Sequence, residues 1–361
     1  MKIAYDHTIF LIQKYGGISR YFNEILKNLN NDIDIKICCP FHVNDLLDSN
    51  DKKVFEIRKI NSIPKFSTKL INKLNFYINN LIFNHWKPNI IHKTYFNNYN
   101  YKLLNAKIVI NVWDLSHEIY HYMYDKPKNW RPKELFLKNV DHVICSSKKT
   151  QDDLVNFYNF DLKKTSVIYQ SAPTLQKRFQ IKDKKENILL FVGSRLKYKN
   201  FEKLLEAFSL KKEILREFRL VCFGSEKISA KEKFLIKKYN LNEKNIQFDF
   251  GDDHKLLNYY LNSTALLYPS LNEGFGFPPL EAMTYGCPVI TSNNKAIIEA
   301  TGLSKFTFDP EDPNEIINVI DEVIASKENL MFLKNYGIER VKQFNSEIMV
   351  KNLKKTYKMI I

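Results

Sequence analysis

The chain is poor in glycine, proline and cysteine, and it has no long apolar run. Its 361 residues include 10 Gly, 12 Pro and 5 Cys. No two cysteines form a CxxC pair, which argues against a zinc site or a disulfide framework and predicts buried thiols in a reducing compartment. No apolar run reaches the roughly 18 residues of a membrane-spanning helix, and the N-terminal residues do not resemble a secretory signal. We therefore expect a cytoplasmic protein.

Acidic residues and arginine are scarce beside lysine. Asp and Glu number 40 against 55 Lys and Arg, which gives a net charge of +15, and 47 of those 55 are lysine. Such a balance suits three kinds of partner: nucleic acid, an anionic membrane surface, or a nucleotide substrate. A surface that is simply rich in lysine is the alternative. The charge is spread along the chain without an RNP, zinc-finger or glycine-clamp motif, so we do not expect nucleic-acid binding.

Length and apolar pattern predict two α/β domains. The chain exceeds the size at which one hydrophobic core usually stops growing. Short apolar runs alternate with helical patterns, which is typical of parallel sheets. In the first half we predict strands at 2–6, 33–39, 89–94, 107–113, 142–146 and 165–169. A second series lies at 188–193, 219–224, 245–248, 264–269, 288–292 and 305–308.

A polar, non-periodic stretch separates the two series of strands. We predict an N-terminal Rossmann-like domain over 1–172, a linker over 173–187, a C-terminal Rossmann-like domain over 188–343 and a closing helix within 344–361. A further amphipathic helix is predicted over 19–29. Two such sheets would place a ligand cleft at the carboxyl ends of their strands.

The segment 66–86 has a helical pattern with more aromatic and aliphatic residues than one narrow stripe needs. Lys69 and Lys73 lie one turn apart on it. We interpret its apolar content as core packing. A peripheral membrane surface is the alternative.

One stretch concentrates the scarce residue types: YPSLNEGFGFPPLEAMTYGCPVITS, residues 268–292. A buried strand is predicted to end at Pro269, and a helical pattern resumes near PPLEAMTYG, with Gly286 as its C-terminal stop. The residues between form a tight loop from strand to helix. Glycines let such a loop approach a ligand closely, and the helix N-terminus attracts an anion.

Two carboxylates border this loop. Glu273 precedes the predicted helix, and Glu281 is expected in its first turn. Both could merely cap the helix, since acids are favoured there. Alternatively, an anion held by the backbone and flanked by carboxylates that accept hydrogen bonds from hydroxyls describes a bound sugar nucleotide.

The block PSLNEGFGFPPLEAMTYGCPVITS closely resembles the signature P-S-x-x-E-G-F-G-x-P-x-L-E-A-M-A-x-G-x-P-V-I-x-S of family 4 retaining glycosyltransferases. Thr284 stands where alanine is usual. The resemblance extends over nearly the whole chain. It implies the GT-B fold: two Rossmann-like parallel-sheet domains, an interdomain cleft, and a C-terminal helix that returns to the N-terminal domain.

Other segments resemble the same family. In LFVGSRLKYKNFEKLLEAF, 190–208, Lys199 matches the lysine that contacts the donor diphosphate, whereas Arg195 falls one place later than the usual arginine. KYGGISRYFNEI places Gly16 and Gly17 in a glycine loop similar to the one that faces the donor. His117 in NVWDLSHEIY also matches a family position.

Two further positions bear on the resemblance. Trp113 stands where the family has a histidine before aspartate, while Glu118 matches. His92 matches an H-x-T-Y segment that faces the cleft, and a structural role for it is equally open. IYQSA at 168–172 departs from the usual I-Y-N-G.

The resemblance implies roles for these residues. Glu273, Lys199, Arg195 and His117 would be catalytic. Donor binding would involve Gly16, Gly17, Gly274, Phe275, Gly276, Phe277 and Glu281. Glu281 would accept from ribose hydroxyls and Glu273 from hexose hydroxyls, while the basic side chains and loop N–H groups stabilise the leaving diphosphate. No metal and no cofactor is expected besides the nucleotide diphosphate sugar.

The implied reaction moves a hexose, for example of mannose type, to a hydroxyl with retention of anomeric configuration. Expected partners are a GDP- or UDP-sugar and a glycan or lipid-linked acceptor in surface polysaccharide synthesis, beside the inner face of an anionic membrane. A sugar-nucleotide epimerase would differ by acting on donor alone. A non-catalytic nucleotide- or nucleic-acid-binding protein would show no turnover, and its nucleic-acid binding would fall steeply with salt.

Overall fold

Parallel strands and the helices between them account for most of the chain. The computed structural model describes residues 1–29, 33–64, 67–97, 99–101, 105–123, 131–174, 186–195, 197–224 and 227–361. The chain divides into two compact units. Unit 1 comprises Met1–Leu115, Lys128–Ser171 and Ser346–Ile361, and unit 2 comprises Ser116–Pro127 and Ala172–Asn345.

The described strands confirm the sequence pattern. They are β1 (Lys2–Tyr5), β2 (Asp34–Cys38), β3 (Phe41–His42), β4 (Val54–Phe55), β5 (Arg58–Lys59), β6 (Ile90–Lys93), β7 (Lys107–Val112), β8 (His142–Cys145), β9 (Thr165–Val167), β10 (Glu186–Val192), β11 (Arg219–Phe223), β12 (Ile246–Asp249), β13 (Ser263–Tyr268), β14 (Val289–Ser292) and β15 (Thr307–Phe308). Each predicted strand has a counterpart here. The sequence did not indicate β3, β4 and β5, because two-residue strands carry no recognisable period.

The described α-helices follow in chain order. They are α1 (Thr8–Ile12), α2 (Gly17–Asn28), α3 (Thr68–Trp86), α4 (Ser116–Ile119), α5 (Arg131–Leu137), α6 (Lys148–Tyr158), α7 (Phe201–Leu210), α8 (Ile214–Glu217), α9 (Ala230–Lys238), α10 (Asp253–Asn262), α11 (Phe277–Thr284), α12 (Lys295–Thr301), α13 (Pro313–Ile324), α14 (Lys327–Val341) and α15 (Ser346–Ile360). The helix predicted over 19–29 and the closing helix predicted within 344–361 correspond to α2 and α15.

Unit 1 is built on a parallel sheet in the order β4-β2-β1-β6-β7-β8-β9. The C-terminal helix α15 belongs to this unit and packs against α2. Its Leu353 and Tyr357 are buried in the core, and the Tyr357 hydroxyl lies 2.8 Å from that of Tyr5 on β1. The expected return of the last helix to the N-terminal domain is therefore confirmed.

Unit 2 has a parallel sheet in the order β12-β11-β10-β13-β14-β15. Numbered from its own first strand, this is the order 3-2-1-4-5-6 of a doubly wound fold. In such sheets the strand order reverses between the first and fourth strands, and the ligand crevice opens at their carboxyl ends. Here those strands are β10 and β13.

The predicted linker lies largely outside the described residues, which resume at 186. Glu186 and Asn187, placed in the linker by the sequence pattern, form the start of β10. The domain boundaries stay a prediction.

Helix α3 is only partly a core helix. Its buried residues are Asn75, Asn79 and Phe83. Four large apolar side chains are exposed: Leu70, Leu74, Tyr77 and Leu81. The interpretation as core packing therefore holds for Phe83 and fails for the opposite face. Among the described residues, no helix is long and apolar enough to cross a bilayer.

Candidate functional site

The site of unit 2 lies where β10 and β13 end. These strands are hydrogen-bonded neighbours. Lys199 follows the carboxyl end of β10, and Glu273 follows the carboxyl end of β13. Residues that are 74 positions apart in sequence therefore meet at the reversal point of the sheet.

Lys199 and Glu273 form an ion pair at this point. The Nζ atom of Lys199 lies 2.6 Å from Oε1 of Glu273, and the two side chains are 11% and 12% exposed. Lys199 belongs to a single 3-10 turn, Lys197–Lys199, and its stem passes beside Gly193 at the end of β10. The φ of Gly193 is +127°, a conformation that favours glycine. The turn therefore brings the lysine back over the sheet edge.

Tyr268 completes a cluster of three polar side chains with this pair. It is the last residue of β13 and is fully buried. Its hydroxyl accepts a hydrogen bond of 2.9 Å from Lys199 Nζ and is also hydrogen-bonded to Glu273. Burial raises the pKa of the phenol well above its usual range, and the charge of Glu273 adds to the rise. The protonated hydroxyl therefore links the lysine to the carboxylate.

Neighbouring elements hold the loop that carries Glu273. Asn272 donates from Nδ2 to the Ser116 hydroxyl at 3.0 Å, and Asn294 donates to the carbonyl oxygen of Leu271, also at 3.0 Å. The Leu271 N–H in turn donates to the Tyr198 carbonyl at 2.8 Å. Main-chain and side-chain contacts to the two residues before Glu273 thus restrict its position.

The glycine loop leads into helix α11. Gly276 caps the helix with φ +100°, and Pro278 lies in the first turn, as expected of a helix N-terminus. The ring of Phe275 is buried against Phe344, with centroids 5.5 Å apart. Gly274 and Phe277 flank Phe275 and Gly276 in the chain. The positive end of the α11 dipole therefore lies directly after Glu273 in the chain.

Glu281 is placed one turn later than predicted. The first turn of α11 contains no acid, because the helix begins at Phe277. Glu281 is buried in the second turn, where the Tyr260 hydroxyl of α10 donates to its Oε2 at 3.0 Å. The expectation that Glu281 lies in the first turn is therefore wrong, and a tyrosine orients its carboxylate in the second turn.

Arg195 lies near the end of β10 but contacts a different set of groups. Its guanidinium donates to Glu232 and to the Lys227 carbonyl, and it lies over the Phe248 ring at 4.7 Å. Although burial acts to raise the pKa of Glu232, the bonds from Arg195 and Ser229 outweigh it and lower that pKa. The described contacts thus give Arg195 a role in holding α9.

His117 lies on α4, which belongs to unit 2. Its half-buried ring packs edge-on against Tyr198, with centroids 6.4 Å apart. Tyr198 directly precedes Lys199, and the Lys199 ammonium lies 5.5 Å from the centre of its ring. Three of the four predicted catalytic residues, Glu273, Lys199 and His117, are therefore linked through direct neighbours.

Gly16 and Gly17 lie in unit 1, at the N-terminus of α2. Gly16 is the N-cap, and the end of the flexible Gln13 side chain packs against its Cα. Gln13 also accepts a hydrogen bond from the Ser19 N–H. Gly17 has open space around its Cα.

His92 is a core residue of unit 1. Its ring nitrogens lie 2.6 Å from the Tyr357 hydroxyl and 2.5 Å from Asn111, and burial lowers its pKa to about 4. Of the two roles that the sequence left open, the structural one fits these contacts.

The sequence did not single out Tyr268, Tyr260 or Asn272. Each acts by hydrogen-bonding a residue that was predicted or its immediate neighbour. Tyr268 could have been found from the sequence. It is the single tyrosine of the apolar run TALLYP, 264–269, which directly precedes the loop that carries Glu273. Tyr260 lies 21 positions from Glu281 on another helix, and no spacing rule connects them.

Comparisons with known proteins agree with this arrangement. A family model described as "Glycosyl transferases group 1" matches residues 174–340, and one described as "Glycosyltransferase Family 4" matches residues 15–173. Together the two models span nearly the whole chain.

Two curated relatives are mannosyltransferases by name. The chain is 28% identical over 222 residues to the O-antigen chain mannosyltransferase RfbU of Salmonella typhimurium, covering 61% of this chain and 61% of the relative. It is 27% identical over 213 residues to the serotype-specific mannosyltransferase WbdA of Escherichia coli, covering 57% of this chain and 26% of the relative. Each match thus spans less than two thirds of the relative's length.

A solved structure shares the fold across both units. Sucrose-phosphate synthase from Thermosynechococcus elongatus superposes with a TM-score of 0.74 at 20% identity, over 99% of this chain and 98% of that one. Likeness at this identity concerns the fold alone, and it confirms the expected GT-B architecture. The two family models place the chain among the family 4, group 1 glycosyltransferases.

Proposed function

We propose that the protein is a retaining glycosyltransferase that moves a hexose from a nucleotide diphosphate sugar to a hydroxyl group. One observation carries the proposal: Lys199, Tyr268 and Glu273 form a buried cluster beside the N-terminus of α11, at the reversal point of the unit 2 sheet. A cation and a helix N-terminus suit a diphosphate, and a fixed carboxylate suits the hydroxyls of a sugar.

In this proposal different residues bind the diphosphate, the hexose and the ribose of the donor. The α11 N-terminus, with loop N–H groups between Gly274 and Phe277, binds the diphosphate together with Lys199. Glu273 accepts from hexose hydroxyls and Glu281, oriented by Tyr260, accepts from ribose hydroxyls. Arg195 holds α9 through Glu232 in this proposal, and it contacts the donor only if donor binding releases it from Glu232.

Transfer breaks the bond between the anomeric carbon and the diphosphate oxygen. A new bond forms from the same face of the sugar to the acceptor oxygen, and the acceptor proton passes to the departing diphosphate oxygen. Negative charge grows on the diphosphate during bond breaking, so Lys199 and the helix dipole stabilise the transition state more than the ground state. No metal ion is needed for this charge in the proposed mechanism.

The identity of the sugar and acceptor is proposed from the relatives. Two curated relatives are named as mannosyltransferases of O-antigen or serotype-specific chains. We therefore propose that the donor is a mannose-type hexose carried by GDP or UDP. The acceptor is a glycan or lipid-linked glycan, and the reaction belongs to the cytoplasmic synthesis of a surface polysaccharide.

A donor screen with the purified protein tests the proposal. Thermal stability is measured with GDP-, UDP- and ADP-sugars, because a ligand at 100 times its Kd adds about 2.7 kcal/mol of stability. The stabilising donor is then incubated with and without glycan acceptors, with EDTA present in parallel, and the product anomer is assigned by NMR.

The expected result is an acceptor-dependent α-configured product from an α-linked donor, undiminished by EDTA. An altered sugar nucleotide formed without acceptor would show an epimerase instead. Stabilisation by oligonucleotides but by no sugar nucleotide would show a nucleic-acid-binding protein. If EDTA abolishes the activity and Mg²⁺ restores it, only the proposed metal independence is contradicted.

A further inference from the structure

Helix α3 of unit 1 has an apolar face that is exposed. Leu70, Leu74, Tyr77 and Leu81 are 70%, 45%, 54% and 71% exposed. At 100° per residue these four side chains fall within one narrow sector of the helix. Four large apolar side chains in one exposed sector form a patch of the kind that marks an interaction surface.

The inward face of the same helix combines the buried Phe83 with asparagines that hydrogen-bond the rest of unit 1. Asn75 exchanges hydrogen bonds with both the N–H and the carbonyl of Phe41, and Asn79 donates to the Cys38 carbonyl. Asn72 lies 2.5 Å from a ring nitrogen of His7. These contacts fix the rotation of the helix, so the leucines cannot turn inward without breaking buried hydrogen bonds.

Lysines border the apolar sector. Lys69 and Lys73 are exposed along one side of it, and the Lys73 ammonium lies 5.9 Å from the Tyr77 ring. At the far end of the helix, Lys2 and Lys36 lie over Trp86 at 5.7 Å and 5.0 Å. The helix therefore has a basic flank and a basic end.

No acid offsets this charge in the surrounding sequence. Residues 57–113 contain nine Lys and Arg and neither Asp nor Glu, in a chain with 40 acidic residues. A stripe of leucine and tyrosine bordered by lysine is the pattern of a helix that lies in the interface of an anionic bilayer.

We propose that α3 docks unit 1 on a phospholipid surface with anionic headgroups. The leucines and Tyr77 enter the boundary between headgroups and acyl chains, while Lys69 and Lys73 meet the lipid phosphates. This inference stands independently of the proposed function, because it concerns lipid binding and not turnover.

Two other occupants fit the same face less well. A twofold contact with a second copy would place unneutralised lysines of both chains in one interface, where like charges repel. Nucleic acid would contact the basic flank but would leave the leucines unused, and α3 contains no arginine.

Vesicle sedimentation tests the proposal directly. The full chain is mixed with phosphatidylcholine vesicles that contain either no or about one third phosphatidylglycerol, at low and at high salt. We expect binding to the anionic vesicles that weakens with salt, and at least tenfold weaker binding to neutral ones.

Variants on the helix separate its two contributions. L70Q/L81Q and K69Q/K73Q should each weaken binding to anionic vesicles by at least tenfold. The control L162Q/L210Q removes two exposed leucines elsewhere, 52% and 53% exposed, and should bind within twofold of the wild type. Circular dichroism and Tm verify that all variants are folded.

Three results would overturn the inference. The first is a wild type that does not sediment with anionic vesicles. The second is undiminished sedimentation of both helix variants. The third is a dimer, detected by light scattering, that L70Q/L81Q dissociates in the absence of lipid, which would assign the face to a second copy.

Discussion

The Lys199 ammonium and the Glu273 carboxylate lie 2.6 Å apart, although they follow different strands of the unit 2 sheet. The pair is nearly buried, and Tyr268 bridges its two members from the strand beneath. A buried pair adds little net stability, because the cost of removing both charges from water offsets their attraction. Its position at the sheet reversal therefore points to a ligand, which would recruit the lysine through its phosphates and the glutamate through its hydroxyls.

Replacing either member of this pair should abolish most of the turnover. We expect K199M and E273Q each to lower kcat by about 10²–10³, the usual loss when a group that stabilises transition-state charge is removed. Steady-state kinetics with the donor found in the screen measures this.

The matched control is K342Q, which removes an exposed lysine paired with Glu339. Its kcat should be that of the wild type. If K199M or E273Q retains near-normal turnover while folded, that residue does not belong to the active site.

Tyr268 and Tyr260 should affect different kinetic constants. Each phenol hydroxyl is hydrogen-bonded to a carboxylate, Glu273 and Glu281 respectively. Hydrogen bonds to charged groups contribute about 1.5–3 kcal/mol, equivalent to roughly ten- to hundredfold. We expect Y268F to lower kcat by that factor, and Y260F to raise the KM for the donor because ribose is bound in ground and transition states alike. If Y268F and Y260F change kcat and KM in the same way, the two hydroxyls have a merely structural role.

Arg195 should contribute to stability through Glu232. R195Q leaves a nearly buried carboxylate without its partner, and we expect the free energy of unfolding to fall by about 1–3 kcal/mol. The double variant R195Q/E232Q should recover part of this loss, which urea denaturation measures. A catalytic loss in R195Q as large as that of K199M, with unchanged stability, would instead assign Arg195 to the donor.

The same pair predicts a pH dependence in acid. The folded-state pKa of Glu232 lies below its ordinary value of 4.5. Its contribution to stability is therefore fully present above pH 4.5 and is lost as the pH falls through the lower, folded-state value. In E232Q the fall in Tm below pH 4.5 should be shallower than in the wild type.

Much of the fold and part of the site could be predicted from the sequence, for physical reasons. Strands such as β10 and β13 are buried on both faces and therefore appear as continuous apolar runs. Glu273 and Lys199 each belong to a motif whose spacing is local. Tyr268 was missed because its partners come from two different loops.

Other differences have equally specific causes. The helical period of 66–86 indicated a helix, but hydrophobicity alone did not reveal that Asn75 and Asn79 face inward, because their partners on unit 1 are distant in sequence. Glu281 was assigned to the wrong turn because Phe277 rather than a later residue begins α11.

His92 provides a test of the core assignment. Burial lowers its pKa to about 4, against 6.5 in the unfolded chain. Stability is thus at its full value above pH 6.5 and decreases as the pH falls toward 4, because the unfolded state binds a proton that the folded state excludes. His142, whose pKa burial also lowers to about 4, contributes in the same direction. H92Q should lower the Tm and make its decrease between pH 6.5 and 4 shallower, while kcat stays within about threefold; a loss of kcat by orders of magnitude would make His92 a catalytic residue.

Calorimetric titration of the wild type, K199M and E273Q with the nucleoside diphosphate and with its sugar nucleotide tests the central claim most directly. We expect K199M to weaken the binding of both ligands by at least tenfold, since both carry the diphosphate. E273Q should weaken only the sugar nucleotide, because its carboxylate meets the hexose. Equal affinities of all three proteins for both ligands would contradict the claim that this pair holds the donor.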